Sequence, residues 1–360
     1  MNRRRLIAWL GGGAALAAGG FFGASALAGN RYYNGPVSDH FDGTTFFNPG
    51  GTPPGGFMDL LRWQFGGKRA KWPVAFDSPF PQAKPEQHVS GPDIRVTMVG
   101  HATMLIQVAG TNILTDPVWS ERVSPVSFAG PRRVNRPGIA FEDLPPIDVV
   151  LSSHNHYDHL DLATLKRLKD AHDPLVFTPL GNDAIVKAAI PEMRISAHDW
   201  GDGPKYGQFD ITLEPVHHWS ARGSNDRRHA LWAAFVLDTP AGRIYHVGDT
   251  GFHNGINYRK AAEKYGAFRL AILPFGAYEP RWFMKGQHQN PDEAVQGMKL
   301  ANVAYVAGHH WATFQLTDEP LEEPRQKLAE ALAAHGVAPD RFRPMLPGEV
   351  WNVPDSQFPV

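Results

Sequence analysis

Cysteine is absent from the 360-residue chain. Its absence excludes disulfide frameworks, thiolate zinc sites and cysteine nucleophiles together, so any metal has to be held by imidazole and carboxylate. An excess of charge of either sign is also absent: 35 Lys and Arg stand against 36 Asp and Glu. A nucleic-acid binder would show a basic stripe, and no nucleic-acid partner is expected. Internal repeats and low-complexity tracts are missing too. What remains is an ordinary globular composition on a chain long enough to build a large core without staples. Its 17 histidines fall in clusters.

The N-terminus runs from Arg3, Arg4 and Arg5 into an uncharged stretch from Leu6 to Ala28 that ends in small residues. This is the layout of a secretory signal peptide, with the paired arginines of a twin-arginine leader. Because the run is also about the length that spans a bilayer, an uncleaved membrane anchor is the other expectation for residues 1–28. Either places the protein in a bacterial periplasm or cell envelope. Residues 29–92 are rich in Gly, Pro and aromatics, with one short amphipathic segment, "FMDLLRWQF". They read as an extended arm packed on the main domain through its aromatics. From residue 93 to 360 short apolar strands alternate with helical patterns. "IRVTMVG", "MLIQVAG" and "NILTDP" suggest a meander, and "PDEAVQGMKLA" a helix opened by Pro291. The fold class is a layered α/β or α+β domain.

Several apolar strands end in ionisable residues. "VVLSS" runs into His154, His156, Asp158 and His159, "ITLEPV" into His217 and His218, "IYHVG" into Asp249, and "AYVAG" into His309 and His310. Strand ends meeting on one edge would deliver these side chains to one place. Two apart in an extended segment, His154 and His156 face the same way and can chelate one ion. Asp158 and His159 then turn toward a neighbouring position. One His of each doublet faces the site because a strand alternates its faces, and spacing does not choose which. With a shared carboxylate at Asp249 the donors suffice for two metals. Zinc suits an all-His/Asp set, with iron or manganese as alternatives. Asp116 in "LTDP" is a candidate partner for a ligand His. His101 in "GHAT" sits at a strand turn that can lie near the site. Arg222 and Arg281 are candidates to meet an anionic head group, since guanidinium suits phosphate geometry.

"SHNHYDHLD" resembles the signature loop of the metallo-β-lactamase superfamily. "IRVTMVGHATMLIQ", "LTDPVWSERVSP", "HHWSARG", "GDTGF", "GHHWATF" and above all "GAYEPRWFM" resemble its branch containing the N-acylphosphatidylethanolamine-hydrolysing phospholipase D. The resemblance implies an αββα sandwich of two mixed sheets with helices on the outer faces. It also implies His154, His156 and His218 on one zinc, Asp158, His159 and His310 on the other, Asp249 as bridge, and substrate contacts from Tyr157 and His288. The activity implied is that of a phosphodiesterase working through a metal-bound hydroxide, with Asp158 and Asp249 in catalytic positions. Its substrate would be N-acylphosphatidylethanolamine, a related phospholipid or another small anionic ester, met at a membrane surface, and a homodimer is an allowed arrangement. The alternatives are a lactone or ester hydrolase of the same fold and a non-catalytic metal-binding envelope protein. No segment resembles the flavin module of a flavo-diiron electron carrier.

Overall fold

The computed structural model describes residues 29–355. The expected leader at residues 1–28 lies outside the described residues. From residue 94 onward the chain builds two seven-stranded sheets. The first holds β1 (Ile94–Gly100), β2 (Thr103–Val108), β3 (Thr111–Thr115), β4 (Val149–Leu151), β5 (Leu175–Pro179), β6 (Ile195–His198) and β14 (Val350–Val353), in the order β14-β1-β2-β3-β4-β5-β6. The second holds β7 (Lys205–Tyr206), β8 (Phe209–Glu214), β9 (Ala234–Thr239), β10 (Gly242–His246), β11 (Phe268–Pro274), β12 (Val303–His309) and β13 (Phe342–Pro344), in the order β13-β12-β11-β10-β9-β8-β7.

Each sheet is antiparallel on one side and parallel on the other. The meander β1-β2-β3 is antiparallel and β3 to β6 are parallel, while β7 to β10 are antiparallel and β10 to β13 are parallel. The alternation of side chains along each strand then makes the layers. On β1, Ile94, Val96 and Met98 turn into the core between the sheets, where Phe235, Leu237, Leu270 and Ile272 meet them. Val99 turns the other way, under Leu165 and Leu168 of α2 (Leu162–His172) and Val186 of α3 (Asn182–Ala189). On the second sheet's outer face, α4 (Ile256–Tyr265), α6 (Pro291–Leu300) and α7 (Glu323–Ala334) bury Tyr258, Met298 and Leu332, and the short α5 (Arg281–Met284) precedes α6. The result is the αββα sandwich.

Local chemistry sets the helix ends. Asp161 caps α2 by accepting from Ala163 N at 3.1 Å, and Asn290 with Glu293 forms a capping box ahead of Pro291 in α6. Residues 29–92 contribute α1 (Phe57–Gly66) and no ladder strand, and Phe41 and Phe46 are buried in the second sheet's outer core. Of the apolar residues in α1 Trp63 is buried, whereas Met58 and Phe65 are 73% and 87% exposed. The amphipathic pattern of this segment therefore does not point into a closed core.

Candidate metal centre

The ionisable residues sit where strands stop. β3 ends before Asp116, β4 before the loop carrying His154 to His159, β10 before Asp249, and β12 at His309. Parallel strands point their carboxyl ends the same way, so one rim of the sandwich receives all of them. His101 joins them from the β1–β2 turn, in the left-handed conformation with φ of 58°.

Asp249 is the hub. Its Oδ2 stands 3.1 Å from His310 Nε2, 3.2 Å from His159 Nε2, 3.7 Å from His218 Nε2, 3.8 Å from His288 Nδ1 and 3.9 Å from His154 Nε2. On one side His154 Nε2 and His218 Nε2 approach His156 Nδ1 at 2.9 and 3.2 Å. On the other, Asp158 Oδ2 lies 3.0 Å from His101 Nε2, 3.4 Å from His310 Nε2 and 3.6 Å from His159 Nε2. Donors about 2 Å from a tetrahedral ion stand roughly 3.3 Å from one another, which is the spacing seen here. Nε2 of His159 and His310, Nδ1 of His288 and Oδ1 of Asp249 are buried without a hydrogen-bond partner. So many orphaned polar atoms in one place are costly unless a cation satisfies them, and a His/carboxylate donor set fits a divalent ion.

The structure brings His218 and His310 to the site from the two doublets. His217 instead stacks on His253 at 3.9 Å, and His309 turns toward His246. Asp116 lies behind the centre, where its Oδ2 accepts from His159 Nδ1 at 2.9 Å and from Ser153 Oγ at 2.8 Å. That contact leaves His159 Nε2 to face Asp249. In the same way His218 Nδ1 meets the Gln287 carbonyl at 3.0 Å. His288, expected at the substrate, stands with His218 and Asp249 among the donors, and His101 belongs to the Asp158 group. Tyr157 lines the cavity above, with its OH donating to the Arg222 carbonyl. The two arginines also make contacts that the sequence did not display, and Arg222 lines the cavity. Arg222 Nη1 holds the carbonyls of Asn155 and Leu160 at 3.0 and 2.7 Å, clamping the histidine loop. Arg281 holds the His288 carbonyl at 2.8 Å and pairs with Glu293 at 2.7 Å.

Burial sets the protonation of the two sides differently. It pushes His156 down to about 3 and His218 to about 4, and it holds His154 well below the usual imidazole value, each helped by neighbouring imidazoles. Burial also opposes charge on His310 and His159, but Asp249 and Asp158 outweigh it. His310 rises to about 9, and His159 lies well above its ordinary value.

Above the centre opens a cavity of about 800 Å³. His156, Asp158, Asp249 and His288 form its floor, and Phe57, Leu60, Trp63, Trp219, Phe283, Met284 and Leu316 line it. Sequence reading missed the arm's share in these walls, and no local signal in residues 55–63 could have revealed it. It also missed Asn48, whose Nδ2 donates to the His218 carbonyl at 2.9 Å.

Comparison with known proteins agrees with this geometry. The family model described as "Beta-lactamase superfamily domain" matches residues 111–311. The N-acyl-phosphatidylethanolamine-hydrolyzing phospholipase D 1 of Caenorhabditis elegans is 39% identical over 270 residues, 72% of this chain and 76% of its own. The mitochondrial enzyme of that name from Saccharomyces cerevisiae is 33% identical over 72% of this chain and 56% of its own. A metal-dependent hydrolase from Caldivirga maquilingensis is 28% identical over 71% of this chain and 96% of its own. Among solved structures, an isothiocyanate hydrolase from Delia radicum gut bacteria superposes with a TM-score of 0.56 at 22% identity, over 71% of this chain and 98% of that one. Igni18, a metallo hydrolase from Ignicoccus hospitalis, gives 0.53 at 22% identity, over 72% and 98%. These two likenesses speak for the fold.

Proposed function

The chain belongs to the beta-lactamase superfamily, and from that premise we propose that this metal-dependent hydrolase cleaves a phosphodiester of N-acylphosphatidylethanolamine or a related phospholipid, on the head-group side of the phosphorus. The observation that carries the reading is the apolar cavity closing onto the His/Asp floor. An amphiphile fits such a space with its chains against Leu60, Phe283 and Leu316 and its polar centre over Asp158 and Asp249. Two relatives named for that substrate support the choice of lipid.

Two divalent ions, zinc first and iron or manganese also suited, would supply Lewis acidity and lower the pKa of water from 15.7 to about 7. The chain's own residues do the positioning. His154, His156 and His218 present neutral nitrogens, and Asp249 ties that group to Asp158, His159 and His310. Asp158 and His288 face the cavity, where they can orient water and a phosphoryl oxygen. Asp116 and Gln287 fix the tautomers of His159 and His218. We place the reaction at a membrane surface of the bacterial envelope, on the strength of the arginine-led N-terminal run.

The test is a hydrolysis panel with purified, metal-quantified protein beside Asp249→Asn. Phosphatidic acid released from N-acylphosphatidylethanolamine by the wild type alone is the expected result. A wild type loaded with two metals that releases nothing from any phosphodiester overturns the reading, and turnover of a lactone instead would reassign the site to ester hydrolysis.

A further inference from the structure

Arg227 lies in the run Asp226-Arg227-Arg228, the setting of a solvated loop charge. The fold puts it on the cavity wall instead. Its guanidinium sits 4.6 Å over the Trp219 ring, and Trp219 meets the His156 ring edge-on at 4.7 Å. One indole therefore separates this cation from the polar floor. Its Nη2 donates to the Gly55 carbonyl at 2.6 Å, and its Nε is shielded from solvent without a hydrogen-bond partner. The carbonyl is held firmly, because a Cβ on Gly55 would stand 2.6 Å from the Phe283 ring and the arm's backbone is pressed against the wall there.

What this cation lacks is an anion. The charged neighbour acting on it is Arg228, which opposes its charge, and no carboxylate among the described residues answers it. A half-buried guanidinium held against an indole in a largely apolar cavity is well placed to meet an anion entering that space. The other two arginines near the site are engaged differently, although Arg222 shares the cavity wall, 4.0 Å over the Tyr157 ring. Arg222 is tied to Asn155 and Leu160, and Arg281 to Glu293.

We propose that Arg227 is a specificity-determining residue, a stacked guanidinium that receives the anionic group of an amphiphilic substrate and makes the cavity select a charged phosphodiester over a neutral ester of equal chain length. The inference rests on the phosphodiesterase reading, which supplies the anion. With Nη2 on the Gly55 carbonyl and Nε shielded, Nη1 is the donor open to a free oxygen of a phosphodiester, and stacking on Trp219 fixes the plane in which it is met.

Calorimetric titration of the metal-loaded full chain with octyl methyl phosphate and with its uncharged analogue octyl dimethyl phosphate tests this. The wild type is expected to bind the anion at least about tenfold tighter. In Arg227→Gln and in Arg227→Met, which keeps an apolar stem on Trp219, that ratio should fall by about fivefold or more. Metal content and affinity for the neutral ester should stay unchanged, and any diester turnover should lose in KM while kcat holds. A wild-type ratio near one overturns the inference without recourse to a variant. So does an undiminished ratio in whichever variant retains its metals. Failure of the phosphodiesterase reading looks different: no diester is hydrolysed, while the Arg227-dependent binding ratio persists.

Discussion

The two halves of the centre hold their donors in opposite states. His154, His156 and His218 are buried imidazoles kept neutral, with Ser153 Oγ 2.9 Å from His154 Nδ1 and the Gln287 carbonyl behind His218. Around Asp158 the carboxylates lift His159 and His310 into the protonated form. The first half offers lone pairs ready for a cation. The second holds protons where a cation would go, so an ion entering it must displace them. Asp249 touches both halves and couples them.

The largest blow to this arrangement is Asp249→Asn, which removes the shared charge. Metal analysis should show the bound metal lost, and turnover should fall by about 10³-fold; undiminished metal content would break the picture of a shared carboxylate. His101→Ala tests whether the halves can be weakened separately. It should reduce metal affinity of the Asp158 half by about 10- to 100-fold and leave the other half within about twofold, read by competition with a chelator.

The protonation contrast gives a third check, with the sign fixed by the shifts. His310, raised to about 9, is protonated at neutral pH. Apparent affinity of its half should therefore climb about tenfold per pH unit per displaced proton until pH 9. His156 and His218, at about 3 and 4, are already deprotonated, so their half should show no such climb above pH 6. Zinc titration calorimetry in buffers of different ionisation enthalpy counts the protons, and equal release from both halves would sink the distinction. The depressed pair also predicts acid lability of the metal-free chain. These imidazoles titrate near 6.5 when unfolded, so their contribution to stability is present above that pH and lost as pH falls toward 4.

A smaller effect is expected from Asn48→Ala. Asn48 tethers the His218 carbonyl while accepting from Trp232 Nε1 at 3.0 Å, so its loss should weaken the neutral half by about tenfold and spare the other. Smallest is Leu60→Ser on the cavity wall, where metal content should stay unchanged and KM for a long-chain substrate should rise a few-fold.

Much of the floor was legible in the chain because its chemistry is local. H-x-H-x-D-H needs six residues and an extended start to face donors alike, and the apolar runs before Asp116, Asp249 and His310 marked where strands would end. The resemblance, not spacing, chose His218 over His217, and the structure places it among the donors. The walls were illegible. Phe57, Leu60 and Trp63 read as one amphipathic helix, yet that helix lines a cavity instead of sealing a core. Arg222 and Arg281 were candidates to meet an anionic head group, and the backbone carbonyls that each also holds are a role no sequence pattern displays.

By itself, then, the sequence determined the donor chemistry. Without a cysteine, imidazole and carboxylate at strand ends were the means left for holding a metal, and the alternation of strands and helices set a layered fold. Tertiary structure decided which donors meet and what stands over them. Asn48 and His218 are 170 residues apart in the chain, and Arg227 reaches Gly55 across 172. Contacts at such separations come from the stacking of two sheets and the path of an arm around them, and neither is written in any short stretch of residues.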